Sequence, residues 1–124
     1  MSIEAFAHIL LEDTFVLAWH QSERSLTFHV LASLQQTHPA ASPPASGDWA
    51  CYRPGIIQFS GVTAVQGLVT QGSVTQTIDA EGSIDYGCID SLAPALPGSY
   101  RIVGEFGDVT VAADEVALYL AAAA

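Results

Sequence analysis

Hydrophobic and polar residues alternate over many short runs of this chain, and a period of two is typical of a half-buried β-strand. The clearest runs are "TFVLAWH" and "SLTFHVL", which are joined by "QSER". Their alternating apolar positions are Phe15, Leu17, Trp19, Leu26, Phe28 and Val30. We therefore predict that the two runs form a β-hairpin that buries these side chains on one face.

Further runs of this kind follow along the chain: "VTAVQGLV", "SVTQTI", "SIDYGCI", "YRIVGEF", "VTVAA" and "VALYL". The segment "WACYRPGIIQF" predicts either two short strands or one kinked strand, because Pro54-Gly55 suits the middle of a turn as well as a bulge. About seven to eight short strands separated by turn residues indicate an all-β fold. We expect an antiparallel sandwich or a small barrel.

Three segments depart from this alternation. The first, "SIEAFAHILLED", has apolar residues at helical spacing behind Ser2 as a cap, which allows a short N-terminal helix. The second, 35–48, is rich in Pro, Ser and Ala and predicts a long surface loop, because neither helix nor strand tolerates that composition. The third, 121–124, is a run of alanines that predicts a frayed tail.

The turn residues of the last hairpin predict its register. A two-residue Gly107-Asp108 loop would pair Gly104 with Val111 and give the hairpin one apolar face. The other face would place Arg101 opposite Asp114, which suits a solvated side of a sheet.

The stretch "IDAEGSIDYGCIDSL" raises the question of a metal or catalytic site, because it places carboxylates around Cys88: Asp79, Glu81, Asp85 and Asp90. A loop over 80–82 would pair Ile78 with Ile84 and Val74 with Cys88, which makes an apolar inner face. The carboxylates would then be spread over roughly 20 Å of the hairpin. Their spacing does not match a calcium-binding EF-hand loop. The pattern predicts a solvated acidic hairpin with a core thiol.

The composition indicates one acidic domain. The chain has 124 residues, 50% of them hydrophobic, which is enough apolar material for a single domain spanning 1–124. It carries 13 Asp and Glu residues against 3 Lys and Arg, with a formal net charge of -10. Nucleic acids and anionic membranes bind through clustered Lys and Arg, so we expect neither as a partner. A basic protein partner is electrostatically favoured, and a homo-oligomer is a further expectation.

The sequence also predicts a location and a redox state. No secretion-signal pattern opens the chain, and no apolar run approaches the roughly 18 residues of a membrane span, so we expect a cytoplasmic protein. Cys51 and Cys88 lack zinc-site spacing and are expected to be unpaired thiols. No motif for a cofactor or for a catalytic nucleophile is recognised, which favours a non-catalytic function with no cofactor.

Two histidines are weak candidates for metal ligands. His20 and His29 fall on the polar face of the first predicted hairpin. A two-residue Glu23-Arg24 turn would make them diagonal neighbours within roughly 7 to 8 Å. Two histidines fall short of a zinc site, which needs at least a third ligand, so the sequence predicts no metal site.

A loop-strand junction is the strongest candidate for a binding site. In "GDWACYRPG" the long loop runs into Trp49, Tyr52 and Arg53. Aromatic residues beside an arginine are enriched in recognition surfaces. The alternative is structural: Trp49 and Tyr52 alternate across the start of a strand, with Trp49 packed under the loop, and Arg53 neutralises a nearby carboxylate.

Several segments carry a resemblance to known sequences: "LEDTFVLAW", "HP", "PP", "GDWACYRPG", "FSGVTAV" and "GEFG". Together they resemble a group of small uncharacterised bacterial all-β proteins of unassigned function. The resemblance covers most of the chain and implies a shared β fold, but it assigns no activity and no catalytic residue. By analogy, small acidic proteins of this general kind include immunity proteins that neutralise toxins.

These observations predict a non-catalytic binding or interaction module with an acidic surface. Two alternatives stay open. One is an immunity-type inhibitor whose carboxylates mask a basic toxin. The other is a metal-dependent hydrolase that uses His and Asp side chains on the polar sheet faces.

Overall fold

The computed structural model describes residues 3–43, 50–74, 77–78 and 84–121. Within these ranges the protein is all-β, as the alternation predicts, and its helical elements are short 3-10 turns. The strands are β1 (Phe15–Ser22), β2 (Ser25–Leu34), β3 (Cys51–Ser60), β4 (Ala64–Gln66), β5 (Thr77–Ile78), β6 (Ile84–Asp85), β7 (Ile89–Pro94), β8 (Ser99–Gly104), β9 (Gly107–Ala112) and β10 (Glu115–Leu120). In the described part of the chain, no helix has the length and hydropathy that a membrane span requires.

The strands form two antiparallel four-stranded sheets that pack face to face. One sheet has the order β1-β2-β3-β10 and the other β4-β9-β8-β7, while β5 and β6 form a separate two-stranded ladder. Each four-stranded sheet ends in two edge strands and is open. The predicted sandwich is therefore confirmed, and the alternative of a closed small barrel is wrong.

Aromatic side chains join the two sheets. Phe28 on β2 lies with its ring centroid 4.7 Å from that of Phe106, which follows β8, and Phe59 on β3 lies 5.7 Å from Tyr100 on β8. Phe28, Phe59 and Phe106 are fully buried. Burial of such large apolar side chains provides most of the free energy that holds two sheets together.

The first hairpin forms as predicted, but one bulge changes which residues it buries. Ser22 pairs with Ser25 across a two-residue turn, and Trp19 pairs with Phe28. A β-bulge between Val16 and Ala18 shifts the register. Val16 is consequently fully buried whereas Leu17 is 38% exposed, so the prediction that Leu17 faces the core is wrong. An extra residue in one strand reverses the alternation on one side of it.

The bulge also turns Phe15 away from the core, where the alternation predicts it. Phe15 pairs with Leu31, whose side chain lies on the same outward side of the sheet, and its ring contacts Tyr52 at a centroid distance of 5.9 Å. The prediction that Phe15 faces the core is therefore wrong for the same reason as the prediction for Leu17.

The N-terminal segment is not an α-helix. It forms 3-10 turns at Glu4–Phe6 and Leu11–Asp13, and the prediction of a short helix there is wrong. Ser2, the predicted cap, lies outside the described residues. The N–H group of Leu10 donates to the carbonyl of Ser33 on β2, so this amide pairs with a strand instead of a preceding helical turn. Pairing with a neighbouring strand has overridden a short helical pattern.

The segment "WACYRPGIIQF" contributes one long strand, β3, rather than two short ones. Pro54 lies within it, and its carbonyl accepts a hydrogen bond from the N–H group of Ala121 just beyond β10. The nitrogen of Pro54 therefore faces the side on which β10 ends, so no bond to β2 is lost. Gly55 follows where β10 approaches closely: an added Cβ would lie 2.6 Å from the carbonyl oxygen of Tyr119.

The register predicted for the last hairpin is wrong. Gly104 pairs with Gly107 instead of Val111, so the turn is Glu105-Phe106 and not Gly107-Asp108. Phe106 is fully buried and reaches between the sheets, which draws the turn toward the core. The offset between the two registers is even, so the residues of each strand keep their predicted faces.

Of the two residue pairs predicted for the acidic hairpin, one is confirmed and the other is wrong. Ile78 pairs with Ile84, as predicted. Cys88 forms a bridge with Phe15 and not with Val74, because the chain turns there to lie along the edge of β1. The strand β7 follows at once, although the sequence pattern did not predict a strand over most of it. Residues 79–83, including Asp79 and Glu81, lie outside the described residues.

The predicted long loop and tail are described in part. Residues 36–40 of the 35–48 loop form turns, and 44–49 lie outside the described residues, as do 122–124 of the tail. Ala121, the first residue of the predicted tail, is bonded to Pro54.

Candidate protein-interaction surface

The outer face of the β1-β2-β3-β10 sheet is made by the side chains that alternate with its core residues. Its central rows hold Phe15, Ala18, His20, Thr27, His29, Leu31, Pro54, Ile56, Gln58, Ala117 and Tyr119. None of these described residues is Asp, Glu, Lys or Arg, although the chain has a net charge of -10. We call this set of residues the neutral face.

Several apolar side chains of the neutral face meet solvent. Tyr119 is 52% exposed, Pro54 is exposed, and Leu31 and Ile56 are half-buried. Leu17, at the bulge in the edge strand β1, is 38% exposed. Apolar residues that cluster on a monomer surface mark interaction sites more often than isolated ones do.

The outer face of the second sheet has a different character. There Arg101 and Asp108 form a bidentate ion pair, with Nε donating to Oδ1 over 2.7 Å and Nη2 to Oδ2 over 2.6 Å. The hydrogen bond from Arg101 lowers the pKa of the Asp108 carboxyl below its ordinary value. Thr110, directly opposite Arg101, is also exposed. This face is charged and polar, as expected for a sheet surface in water.

Carboxylates lie at the margins of the neutral face. Glu115 begins β10 opposite Ser60, and Glu23 lies in the turn between β1 and β2. Asp13 lies at the other end of the sheet, beside Tyr52. A centre depleted of charged residues inside a polar margin is the usual anatomy of a protein–protein interface.

The two candidate metal ligands lie within the neutral face. The rings of His20 and His29 are side by side, with centroids 5.3 Å apart, because the Glu23-Arg24 turn has the two-residue length that the prediction required. Among the described residues, no group of three or more His, Cys, Asp and Glu side chains is placed to hold a metal ion. The pair therefore lacks a third protein ligand in this part of the structure.

Of the three predicted binding residues, Trp49 lies outside the described residues, and the other two point to opposite sides of β3. Tyr52 lies at the end of the neutral face. Arg53 lies on the inner side, where Nη2 donates to the carbonyl of Ala40 over 2.9 Å and Nη1 to that of Ala121 over 3.4 Å. Arg53 thus ties the described part of the long loop to the end of β10, and a binding role for the three residues stays a prediction.

A polar cluster at the end of the neutral face was not predicted. Oδ2 of Asp13 accepts hydrogen bonds from the Tyr52 hydroxyl over 2.8 Å and from Oγ of Ser33 over 2.7 Å. Ser33 is fully buried, and its N–H group donates to Oγ1 of Thr14 over 3.2 Å. The partners come from three separate elements, so no local sequence pattern could have indicated the cluster.

The environment of Cys88 includes negative charges from separate elements. Burial raises the pKa of this thiol first, and the negative charges of Asp13, Asp85 and Asp90 raise it further. A raised pKa disfavours the thiolate, which is the nucleophilic form of cysteine. Cys51 is buried, and both cysteines are unpaired, as predicted.

No protein-family model, no curated protein and no solved structure matches this chain. The resemblance to a group of small bacterial β proteins stays a prediction.

Proposed function

We propose that this protein is a non-catalytic, cytoplasmic interaction module that binds a protein partner through its neutral face. One observation carries the proposal: the outer face of the β1-β2-β3-β10 sheet has no Asp, Glu, Lys or Arg in its central rows, in a chain with a net charge of -10. A sheet face that served only solubility would carry charged side chains, as the second sheet does with Arg101 and Asp108.

The surroundings of the face indicate the chemistry of the partner. Its centre combines apolar side chains with uncharged polar ones, and its margins carry Glu115, Asp13 and Glu23, the last beside Arg24. A complementary protein surface would have an apolar centre bordered by Lys and Arg. An immunity-type inhibitor of a basic toxin is a narrower form of this proposal, and the same acidic margin supports it.

The chemical groups of the chain support a binding role rather than catalysis. The Asp13 carboxylate is engaged by Tyr52 and Ser33, and the pKa of Cys88 is raised. The unpaired state of Cys51 and Cys88 supports the cytoplasmic part of the proposal, because reducing compartments keep thiols free.

A matched pair of surface substitutions tests the proposal. Ile56→Lys places a charge at the centre of the neutral face, and Thr110→Lys places the same charge on the outer face of the other sheet. Proteins captured from cells by the wild type and by Thr110→Lys are purified, and their binding is titrated calorimetrically against all three forms. We expect Ile56→Lys to weaken binding by at least about tenfold, with Thr110→Lys within about twofold of the wild type.

The salt dependence of the titration tests the chemistry assigned to the partner. Binding should weaken as salt concentration rises, because screening reduces the attraction between the acidic margin and a basic partner. Equal binding by Ile56→Lys and Thr110→Lys, with both variants folded by circular dichroism, would show that the neutral face is not the binding surface.

A further inference from the structure

The edge of β10 exposes backbone groups that lack a partner among the described residues. Ala121 N–H bonds to the Pro54 carbonyl, so the odd-numbered residues of β10 hydrogen-bond to β3. The even-numbered residues Val116, Leu118 and Leu120 therefore direct their N–H and C=O groups away from β3. No backbone or side-chain hydrogen bond within the described ranges reaches these groups from outside the sheet.

The other three sheet edges are covered, short or interrupted. On β1, Val16 exchanges hydrogen bonds with 86–87, and the Trp19 N–H group donates to the Gln71 side chain over 2.8 Å. The strand β4 is three residues long. The strand β7 ends in Pro94 and carries Asp90. Proteins protect edges by these same devices. The 3-10 turn Glu4–Phe6 lies near β10, but within the described ranges it makes no backbone hydrogen bond to the free side of β10.

The sequence of this edge is self-complementary. If two copies of β10 pair antiparallel around Leu118, Val116 of one copy faces Leu120 of the other, and Leu118 faces Leu118. At all three positions the backbone N–H and C=O groups point away from β3, so the pairing forms about six hydrogen bonds. On the outer face, the small Ala117 lies beside the large Tyr119 of the second copy.

The distribution of charges along β10 permits a second copy as the occupant. Two chains with a net charge of -10 can approach closely only where carboxylates do not face each other. In this register Glu115 faces Ala121 of the second copy, and the two Glu115 side chains lie at opposite ends of the paired strands. From 116 to 121 the strand "VALYLA" has no charge.

We propose that the protein forms a symmetric dimer by antiparallel pairing of β10 with β10 of a second copy. The dimer joins the two sheets into one eight-stranded sheet whose neutral faces are continuous. This inference stands on the edge of β10, whereas the proposed function stands on the centre of the outer face, so either can fail alone.

Sedimentation of a matched pair of variants tests the backbone contact. Leu118→Pro removes the N–H group at the two-fold axis without removing a bond to β3. Leu118→Ala is the control, because it also removes the leucine side chain but keeps the N–H group. We expect wild type and Leu118→Ala to sediment as dimers at about 100 μM and Leu118→Pro to have at least about tenfold weaker association. Equal association of the two variants would overturn the proposal.

Disulfide cross-linking tests the register and does not depend on the folding of the proline variant. In the proposed pairing, Ala117 and Tyr119 of the second copy are a non-hydrogen-bonded pair with Cα atoms about 4.5 Å apart, within reach of a disulfide. The double variant Ala117→Cys/Tyr119→Cys should form covalent dimers on oxidation. Each single variant should not, because identical positions lie about 7 to 8 Å apart. A wild-type monomer up to about 1 mM together with no cross-link in the double variant, or equal cross-linking of single and double variants, would overturn the proposal.

Discussion

The hydroxyl group of Tyr52 donates a hydrogen bond to Oδ2 of Asp13 over 2.8 Å, and this bond joins β3 to the turn that precedes β1. Ser33, between them on β2, donates to the same carboxylate oxygen. One carboxylate therefore links three separate elements at the end of the neutral face. A residue that the sequence marks as a binding candidate, Tyr52, thus has a structural role whether or not it contacts a partner.

Removal of the Tyr52 hydroxyl should lower stability. Tyr52→Phe keeps the ring contact with Phe15 and loses the bond to Asp13, and hydrogen bonds to charged, partly buried groups contribute about 1 to 2 kcal/mol. We expect the free energy of unfolding in urea to fall by about that amount. Tyr119→Phe, at a tyrosine that is 52% exposed, serves as the control and should change it by less than about 0.5 kcal/mol. Equal effects of the two substitutions would contradict a structural role for the Tyr52 hydroxyl.

His8 has a backbone conformation that favours glycine. Its φ is 62°, and its Nδ1 atom shares a hydrogen bond with Oγ1 of Thr37 over 2.8 Å. His8→Gly and His8→Ala both lose this bond, but alanine keeps the steric cost of the left-handed region. We expect the glycine variant to be more stable than the alanine variant by about 0.5 to 1 kcal/mol in urea denaturation. Alanine and glycine variants of equal stability would show that the left-handed conformation carries no strain.

Gly107 allows β9 to approach the segment after β4. Its φ is 125°, and an added Cβ would overlap the carbonyl oxygen of Gly67. Gly107→Ala should therefore lower the free energy of unfolding by about 2 to 4 kcal/mol, because the Gly67 carbonyl belongs to the backbone and cannot move without displacing the chain. Gly72→Ala is the control, since an added Cβ there meets nothing within 4 Å. Calorimetric unfolding of both variants measures the difference, and a stable Gly107→Ala variant would refute the close approach.

The carboxylates near Cys88 should slow its reaction with iodoacetamide. Asp90 raises the pKa of the thiol, so Asp90→Asn should lower that pKa and increase the thiolate fraction at alkaline pH. We expect alkylation of Cys88, located by peptide mass spectrometry, to accelerate by about twofold to threefold, with part of the gain offset by the lower nucleophilicity of a more acidic thiol. Asp114→Asn should leave the rate unchanged, because Asp114 does not contribute to the shift. A rate that responds equally to both substitutions would mean that the effect is not local.

The raised pKa of Cys88 also makes the stability of the fold depend on pH. The folded state holds the proton of Cys88 more tightly than the unfolded chain does, because the folded pKa is the higher one. The resulting contribution to stability is present below the ordinary pKa of a thiol and is lost as the pH rises through the folded pKa. Cys88→Ala should therefore remove an alkaline loss of stability, which urea denaturation between neutral and alkaline pH measures.

Local patterns in the sequence account for much of the fold. The alternation of "TFVLAWH" and "SLTFHVL" with a turn at Glu23-Arg24 suffices to place His20 and His29 side by side, as the structure shows. The pairing of Ile78 with Ile84 follows from a similar short-range pattern. In these two cases the turn length and the alternation together predict the register.

Contacts between distant parts of the chain decided the rest. The bulge at Leu17, the turn at Glu105-Phe106 and the loss of the N-terminal helix each result from packing or pairing with another element. Asp13 finds Ser33 and Tyr52 only because three elements meet at one end of the sheet. The all-β class and the acidic, motif-poor character of the chain were determined by the sequence, because both depend on composition and period. The neutral face and the open edge of β10 were decided by tertiary structure, since both require knowing which strands are neighbours and which side of each strand is left uncovered.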